Sequence, residues 1–426
     1  MIERALELAL KRARAAEIVM HDERMSSAEY EDDKLKRVSA SQSLDLTVRV
    51  IVDDRVGVSR ATDESEAESA VARAIELAEF GSEARFDFPG PAPGAPVQTY
   101  DPQVERISRD ELVAAGGEML ERIKSYNQEI KTSAESAWVV SRGRLINSSG
   151  LDVSADYSTH VGHVSGLLIR GTDMLFAGKL HYWRSKTLDV RELTDAAIVE
   201  FRRAERTADL ATKEMPVIFT PRGMQVILGP LLMGTNGKNV LKGDSPLAHR
   251  LGEPIAAPGF SLADDGTLDF APQSAPYDGE GVPRQRNEIV RSGVLSAFLY
   301  DLETASKAGA RSTGNGPGCG ASNTVVAPGD VSFDEMVRGT KEGVIVEQVL
   351  GLGQGNVING DFSVNIALGY KIENGEIVGR VKDAMVAGNV YKALPRIEAI
   401  GSEPEWSYST YSPAIKFASL SVVAAG

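Results

Sequence analysis

Residues able to bind a metal, attack a carbonyl or move a proton are few in this chain. The five histidines are His21, His160, His163, His181 and His249, and only His160 and His163 approach metal-ligand spacing. They stand three apart in a segment that alternates like a strand, which sends them to opposite faces, so the spacing predicts two half-exposed strand residues and no shared metal. The single cysteine, Cys319, lies in the glycine-rich run Ser312 to Gly320. Such a loop lets backbone approach a ligand closely, so Cys319 reads either as a reactive thiol or, with no histidine nearby in sequence, as a bystander. The run lacks the Gly-Lys-Ser/Thr end of a phosphate loop, and Gly351-Leu352-Gly353-Gln354-Gly355 misses the GxGxxG spacing of a dinucleotide fold. Asp278 and Glu280, in Tyr277 to Pro283, are the best acid pair: they could bind a ligand, act as acid and base, cap backbone amides, or pair with Arg284 and Arg286. Asn315 and Asn323 join them as candidate ligand-binding residues, and no cofactor is expected.

The chain that must position these groups has 426 residues, 42% hydrophobic, enough for about two or three domains with a sizeable core. A formal net charge of −14 opposes nucleic acid, and the densest basic cluster, Arg202 to Arg206, is interrupted by Glu205 and reads as a solvated helix face. One cysteine excludes an internal disulfide and fits a reducing, cytoplasmic setting. The N-terminal residues spread their charges without a basic tip or cleavage site, so a signal peptide is not expected. The uncharged stretch Gly223 to Gly237 is broken by Gly and Pro and falls short of the roughly 20 residues a bilayer requires, so no membrane partner is expected either.

Periodicity gives an α+β fold: an N-terminal helix and antiparallel-sheet region followed by a β-rich C-terminal domain. Ile2, Ala5, Leu6, Ala9 and Ala13 make an amphipathic opening helix, and Leu44 to Val52 alternate as a strand before the turn at Asp53-Asp54. Asp63 caps the next helix, which completes an α+β unit over residues 1–85. Residues 86–107 contain five prolines and form an arm or linker. A middle sheet-and-helix region spans residues 108–212, opened by the capping box Ser108 to Glu111 and closed by a helix over Val190 to Ala208. Residues 213–426 form the β-rich domain, with hairpins at Ser292-Gly293 and Asn374-Gly375 and helices over Leu299 to Gly309 and Ser332 to Gly343.

Several of these segments share an order with one family. Ser245 to Glu253, Asp264-Asp265-Gly266-Thr267, Tyr277 to Pro283, Ser312 to Gly316, Gly360 to Ser363 and Ile372 to Glu376 follow as they do in the TldD/PmbA family, and Tyr30 to Lys36 extends the match to the N-terminal unit. The resemblance implies a peptidase component. Active members carry zinc on an HExxxH helix plus a distant cysteine, with the glutamate as general base. Counting back from Gly243-Asp244, the two histidines align here with Gly234 and Asn239 and the glutamate with Thr235. Ser402 to Tyr408, where the cysteine belongs, contains none. This departure resembles the PmbA (TldE) type, which implies a non-catalytic subunit pairing with a zinc-bearing TldD-type subunit in a heterodimeric protease for unfolded peptides. A stand-alone peptide-binding homodimer is the alternative, and a hydrolase rebuilt on Cys319 or the Asp278 and Glu280 pair is a third.

Overall fold

Alternation along two long N-terminal segments turns Ile18, Leu46, Val48 and Val50 to one side, where Ala70, Val71 and Ala74 of a helix bury them. The computed structural model describes residues 1–353 and 355–424. Its first sheet has six antiparallel strands: β1 (Ala15–Glu31), β2 (Lys34–Val52), β3 (Arg55–Ala61), β4 (Lys131–Asn147), β5 (Asp152–Arg170) and β6 (Asp173–Trp183), in the order β3-β2-β1-β4-β5-β6. The pairing of β1 with β4 runs from Glu17 opposite Asn147 to Tyr30 opposite Ala134. Strands from residues 1–85 and from 108–212 therefore share one sheet. One face of it carries α1 (Ile2–Ala9) and α2 (Ala67–Leu77) at one end, and α4 (Arg109–Tyr126) and α5 (Val190–Arg203) at the other. Between α2 and α4 lies the single turn α3 (Pro102–Glu105), capped by the Asp101 carboxylate.

The proline-rich stretch bonds to both halves of the molecule. Asn147 donates to the Pro89 carbonyl and Ser158 to that of Thr99, while Ala95 donates to Pro276 and Phe270 to Gln98. Proline removes donors and fixes φ, so the stretch joins no sheet and instead uses its carbonyls and scattered amides to stitch surfaces together.

The C-terminal half holds two sheets. One has the order β10-β9-β8-β11-β18-β17, built from β8 (Leu262–Asp265), β9 (Arg286–Arg291), β10 (Val294–Leu295), β11 (Thr324–Val326), β17 (Glu405–Ser407) and β18 (Thr410–Ser412). The other combines β7 (Lys213–Phe219), β12 (Glu342–Leu350), β13 (Asp361–Glu373), β14 (Glu376–Arg380), β15 (Ala384–Asn389), β16 (Ile397–Ile400) and β19 (Ile415–Ala424). Because β12 pairs with both β7 and β13, the pairings β12-β7-β19-β15-β13 close a ring. Closure leaves those strands without a bare edge.

Turns follow local chemistry: Ser292-Gly293 and Asn374-Gly375 both take positive φ at both residues, the hairpin geometry expected of them. The capping boxes at Ser108 and Ser332 are formed, and the helices they start are α4 and α9 (Phe333–Arg338). The apolar stretch after Gly223 folds as α6 (Gln225–Thr235), despite Pro230, and then α7 (Gly237–Lys242). Val226, Ile227, Leu228 and Leu231 are all buried there, so packing overrides the helix-breaking residue. Two short helices complete the chain, α8 (Leu302–Ala308) and α10 (Val390–Ala393).

Candidate functional site

Positions 234, 235 and 239, set by the resemblance against zinc ligands, fall on α6 and α7. The turn between these helices is made by Asn236, whose side chain accepts from the Lys238 amide and donates to the carbonyls of Gly318 and Cys319 at 2.9 and 3.1 Å. Gly234 has no side chain, and a Cβ built there would lie 2.2 Å from the Tyr391 hydroxyl. That hydroxyl bonds to the carbonyls of Pro230 and Ile358, both at 3.2 Å, so it is held in place. Thr235 is buried and donates to Leu232, while the Asn239 amide donates to Met233 at 2.8 Å. These residues do not fit a zinc ion: one position is empty, its space belongs to a phenol, and the other two side chains serve the backbone. Among the described residues, no group of three or more His, Cys, Asp and Glu side chains is arranged to hold a metal.

Asp278 and Glu280 come together, yet not with the arginines adjacent in sequence. Arg284 donates to the Gly314 carbonyl and Arg286 pairs with Asp265 and Glu288. Glu280 instead meets Arg49 of β2, which also pairs with Glu17 of β1 at 2.9 Å. The register that places Glu17 opposite Arg49 makes this a buried carboxylate-guanidinium-carboxylate row, with the Phe88 ring 4.9 Å from the guanidinium. Burial pushes the Glu17 carboxyl up to about 7, against the pull of Arg49. Desolvation works against the Arg49 guanidinium, but Glu17 and Glu280 hold it above its usual range. The other Glu280 oxygen accepts from the Leu302 amide at 2.8 Å, and a Cβ on Gly316 would lie 2.1 Å from it. Asp278 accepts from the amides of Glu280, Val282 and Gly316, while burial raises its carboxyl to about 6. All four oxygens of the pair are thus engaged by the protein itself.

The two asparagines are similarly committed. Asn315 donates to Asp264 at 2.7 Å and to the Gly320 carbonyl, and accepts from Thr313 and Asn287. Asn323 donates to the Asp265 carbonyl and Ser274, and accepts from the Gln273 amide. Cys319 is buried at positive φ, its sulfur accepting from the Asp301 amide at 3.3 Å. Burial raises the thiol pKa, away from the thiolate a nucleophile requires. His160 and His163 do part across the strand. The His160 ring packs edge-on to His181, and His163 lines a cavity beside Arg222.

That cavity has a volume of about 670 Å³, and nothing in the sequence pointed to it. It lies where β6 meets β17, with Lys179, Glu200, Arg222, Glu347, Trp406 and Tyr408 in its wall. A second cavity of about 460 Å³ continues from it along Tyr182 and Trp183, sharing Leu180, Trp406 and Tyr408. Lys179 Nζ sits 2.6 Å from Glu200 and 3.5 Å from Glu347. Burial raises the Glu200 carboxyl even with Lys179 beside it. Aromatic contacts close the far wall, with Trp183 edge-on to Trp406 and Tyr182 tilted against Tyr408, each at 5.0 Å between centroids. Its walls come from segments more than half the chain apart, so no local spacing signals it.

Residues 212–424 match the family described as the PmbA/TldA metallopeptidase C-terminal domain, and residues 16–78 match PmbA/TldA metallopeptidase domain 1. The metalloprotease PmbA of Escherichia coli O157:H7 is 25% identical over 433 residues, covering 95% of this chain and 91% of that protein. A metalloprotease of Methanothermobacter thermautotrophicus is 39% identical over 172 residues, 38% of this chain and only 37% of its own length. The crystal structure of TldE from Thermococcus kodakarensis, 23% identical, superposes with a TM-score of 0.88 over 99% of both chains and shares the fold. With half of its residues matched by the C-terminal domain alone, the chain belongs to the PmbA/TldD family of metallopeptidase-like proteins.

Proposed function

We propose that this chain is a non-catalytic subunit that pairs with a zinc-bearing member of the family and helps enclose unfolded peptides for cleavage by that partner. The observation that carries the reading is the state of Gly234, whose missing side chain is replaced in space by the fixed Tyr391 hydroxyl. Removing both histidines and the glutamate removes Lewis acid, activated water and general base together, so hydrolysis by the family's metal mechanism has no support in this chain. Neither the Asp278 and Glu280 pair nor Cys319 supplies a substitute, since each is buried and internally bonded. A cytosolic, reducing setting belongs to the same reading, supported by the single buried thiol. Among the described residues no helix is long and apolar enough to cross a membrane.

Co-expression with a zinc-bearing relative from the same cell tests the proposal. The two chains are expected to co-purify, and the pair to hydrolyse a denatured protein substrate faster than the relative alone. Failure to associate, or equal activity of the relative by itself, would sink the reading.

A further inference from the structure

The first sheet and the C-terminal half meet over an unbalanced set of buried charges. Glu17 of β1 and Arg49 of β2 stand opposite each other on the sheet face that receives loop 277–283, and Glu280 of that loop completes the row. The side chains of Glu17 and Glu280 are each 2% exposed and that of Arg49 12%, so one guanidinium serves two carboxylates where water screens neither. Glu17 Oε1 lies 2.9 Å from Arg49, while its Oε2 has no hydrogen-bond partner among the described residues. Ionised, Glu17 leaves that oxygen buried, charged and unpaired; protonated, it leaves one carboxylate against one guanidinium. No neighbour adds a second cation. Asp278 on the same loop is a further acid, β4 presents Asn147, and the proline-rich stretch presents the Phe86 and Phe88 rings to Arg49.

The two sides of this row are held unequally. Glu17 and Arg49 belong to a ladder that runs in regular register from Ala15 opposite Ile51 to Glu29 opposite Arg37. Loop 277–283 is tied down by a few bonds: Tyr277 to the Ala92 carbonyl, the Leu302 amide to Glu280, and the Gly316 amide to Asp278. Gly279 and Gly281 flank Glu280, and the positive φ of Gly281 shows the backbone freedom there. A cavity of about 60 Å³ lies between loop and sheet, lined by Val19, His21, Leu145, Tyr157, Tyr277 and Gly279. The loop is thus the part that can yield. We infer that loop 277–283 is a proton-controlled latch, which clamps the first sheet to the C-terminal half while Glu17 holds a proton and lifts away when Glu17 is ionised. This device lies outside the partner role and does not depend on it. Lifting hydrates both glutamates and leaves the Leu302 and Gly316 amides without their acceptors. Because burial raises the Glu17 carboxyl to about 7, the closed form is favoured at low pH, and opening grows as pH rises and levels off above about 7. Asp278, raised to about 6, acts over the lower part of that range. His21, in the cavity wall, is pushed below its ordinary value by burial and is neutral at pH 7 and above.

Hydrogen exchange of the full chain, followed by mass spectrometry at pH 6 and pH 8 and corrected for intrinsic exchange rates, tests the latch. In the wild type, protection at loop 277–283, Leu302 and Gly316 is expected to fall about tenfold or more between the two values, the ratio that one proton held near pH 7 in the closed form gives. Amides of the β1 and β2 ladder should change by less than about twofold over the same interval. Glu17→Gln keeps the size of the side chain and carries no charge at either pH. It should leave only the roughly twofold change that Asp278 contributes above pH 6. Wild-type protection of the loop that moves less than about threefold, or a fall shared equally by the β1 and β2 ladder, overturns the inference. A Glu17→Gln chain with a native circular dichroism spectrum and the full wild-type pH response overturns it as well. The first two outcomes are read on the wild type alone, so the test decides even if the variant misfolds.

Discussion

Gly234 shows how a single residue can fix the chemistry of its surroundings. Its hydrogen leaves room for the Tyr391 hydroxyl, and the hydroxyl in turn ties α6 to the Ile358 carbonyl. Gly234→His should therefore destabilise the fold by about 1–3 kcal/mol through overpacking, read as a lower urea midpoint. Adding Thr235→Glu and Asn239→His to it should still give no stoichiometric zinc by elemental analysis, because Tyr391 keeps its place. A triple variant that binds one zinc per chain at wild-type stability would contradict the local account. Positions 234, 235 and 239 are set against the zinc ligands by the family resemblance and not by their own spacing. What fills the space at Gly234 was not legible, because Tyr391 lies far along the chain and only the folded packing brings it to α6.

Between elements, the row Glu17, Arg49 and Glu280 ties the first sheet to the loop before β9, across 231 residues from Arg49 to Glu280. Sequence proximity pointed to Arg284 and Arg286, and the long-range partner won because β1 and β2 present Glu17 and Arg49 opposite each other on the face that meets the C-terminal half. Arg49→Met leaves two buried carboxyls without their cation and should cost about 3–5 kcal/mol near neutral pH. The pH dependence has a definite sign. The Glu17 and Asp278 carboxyls are raised to about 7 and about 6, above ordinary unfolded values of about 4, so the folded state holds extra protons. Their contribution to stability is fully present below about pH 4 and is lost as pH rises through 6 and then 7. Glu17→Gln should flatten the upper part of that decline, by at most about 1.4 kcal/mol per pH unit for one proton, in denaturation curves from pH 5 to 8. A variant whose curve parallels the wild type over that range would show that Glu17 does not carry the protonation.

Across the whole molecule, local signals were readable and long-range ones were not. The turns at Ser292-Gly293 and Asn374-Gly375 and the caps at Ser108 and Ser332 depend on a few adjacent residues, and the sequence shows them. The pairing of β1 with β4 crosses the proline-rich stretch, and the closed ring of β12, β7, β19, β15 and β13 joins segments from both ends of the C-terminal half; neither leaves a local trace. Helix α6 escaped notice because it is apolar all round and contains Pro230, which hides the 3.6-residue period. The cavity between β6 and β17 shares this origin, since it exists only where two sheets from distant segments meet. The most direct test of the partner role is metal content and native mass measured on the chain alone and after co-purification with a zinc-bearing relative. The isolated chain is expected to be metal-free and the complex one-to-one, with its single zinc staying with the relative after separation. Stoichiometric zinc in the isolated chain, together with chelator-sensitive peptide hydrolysis, would contradict it.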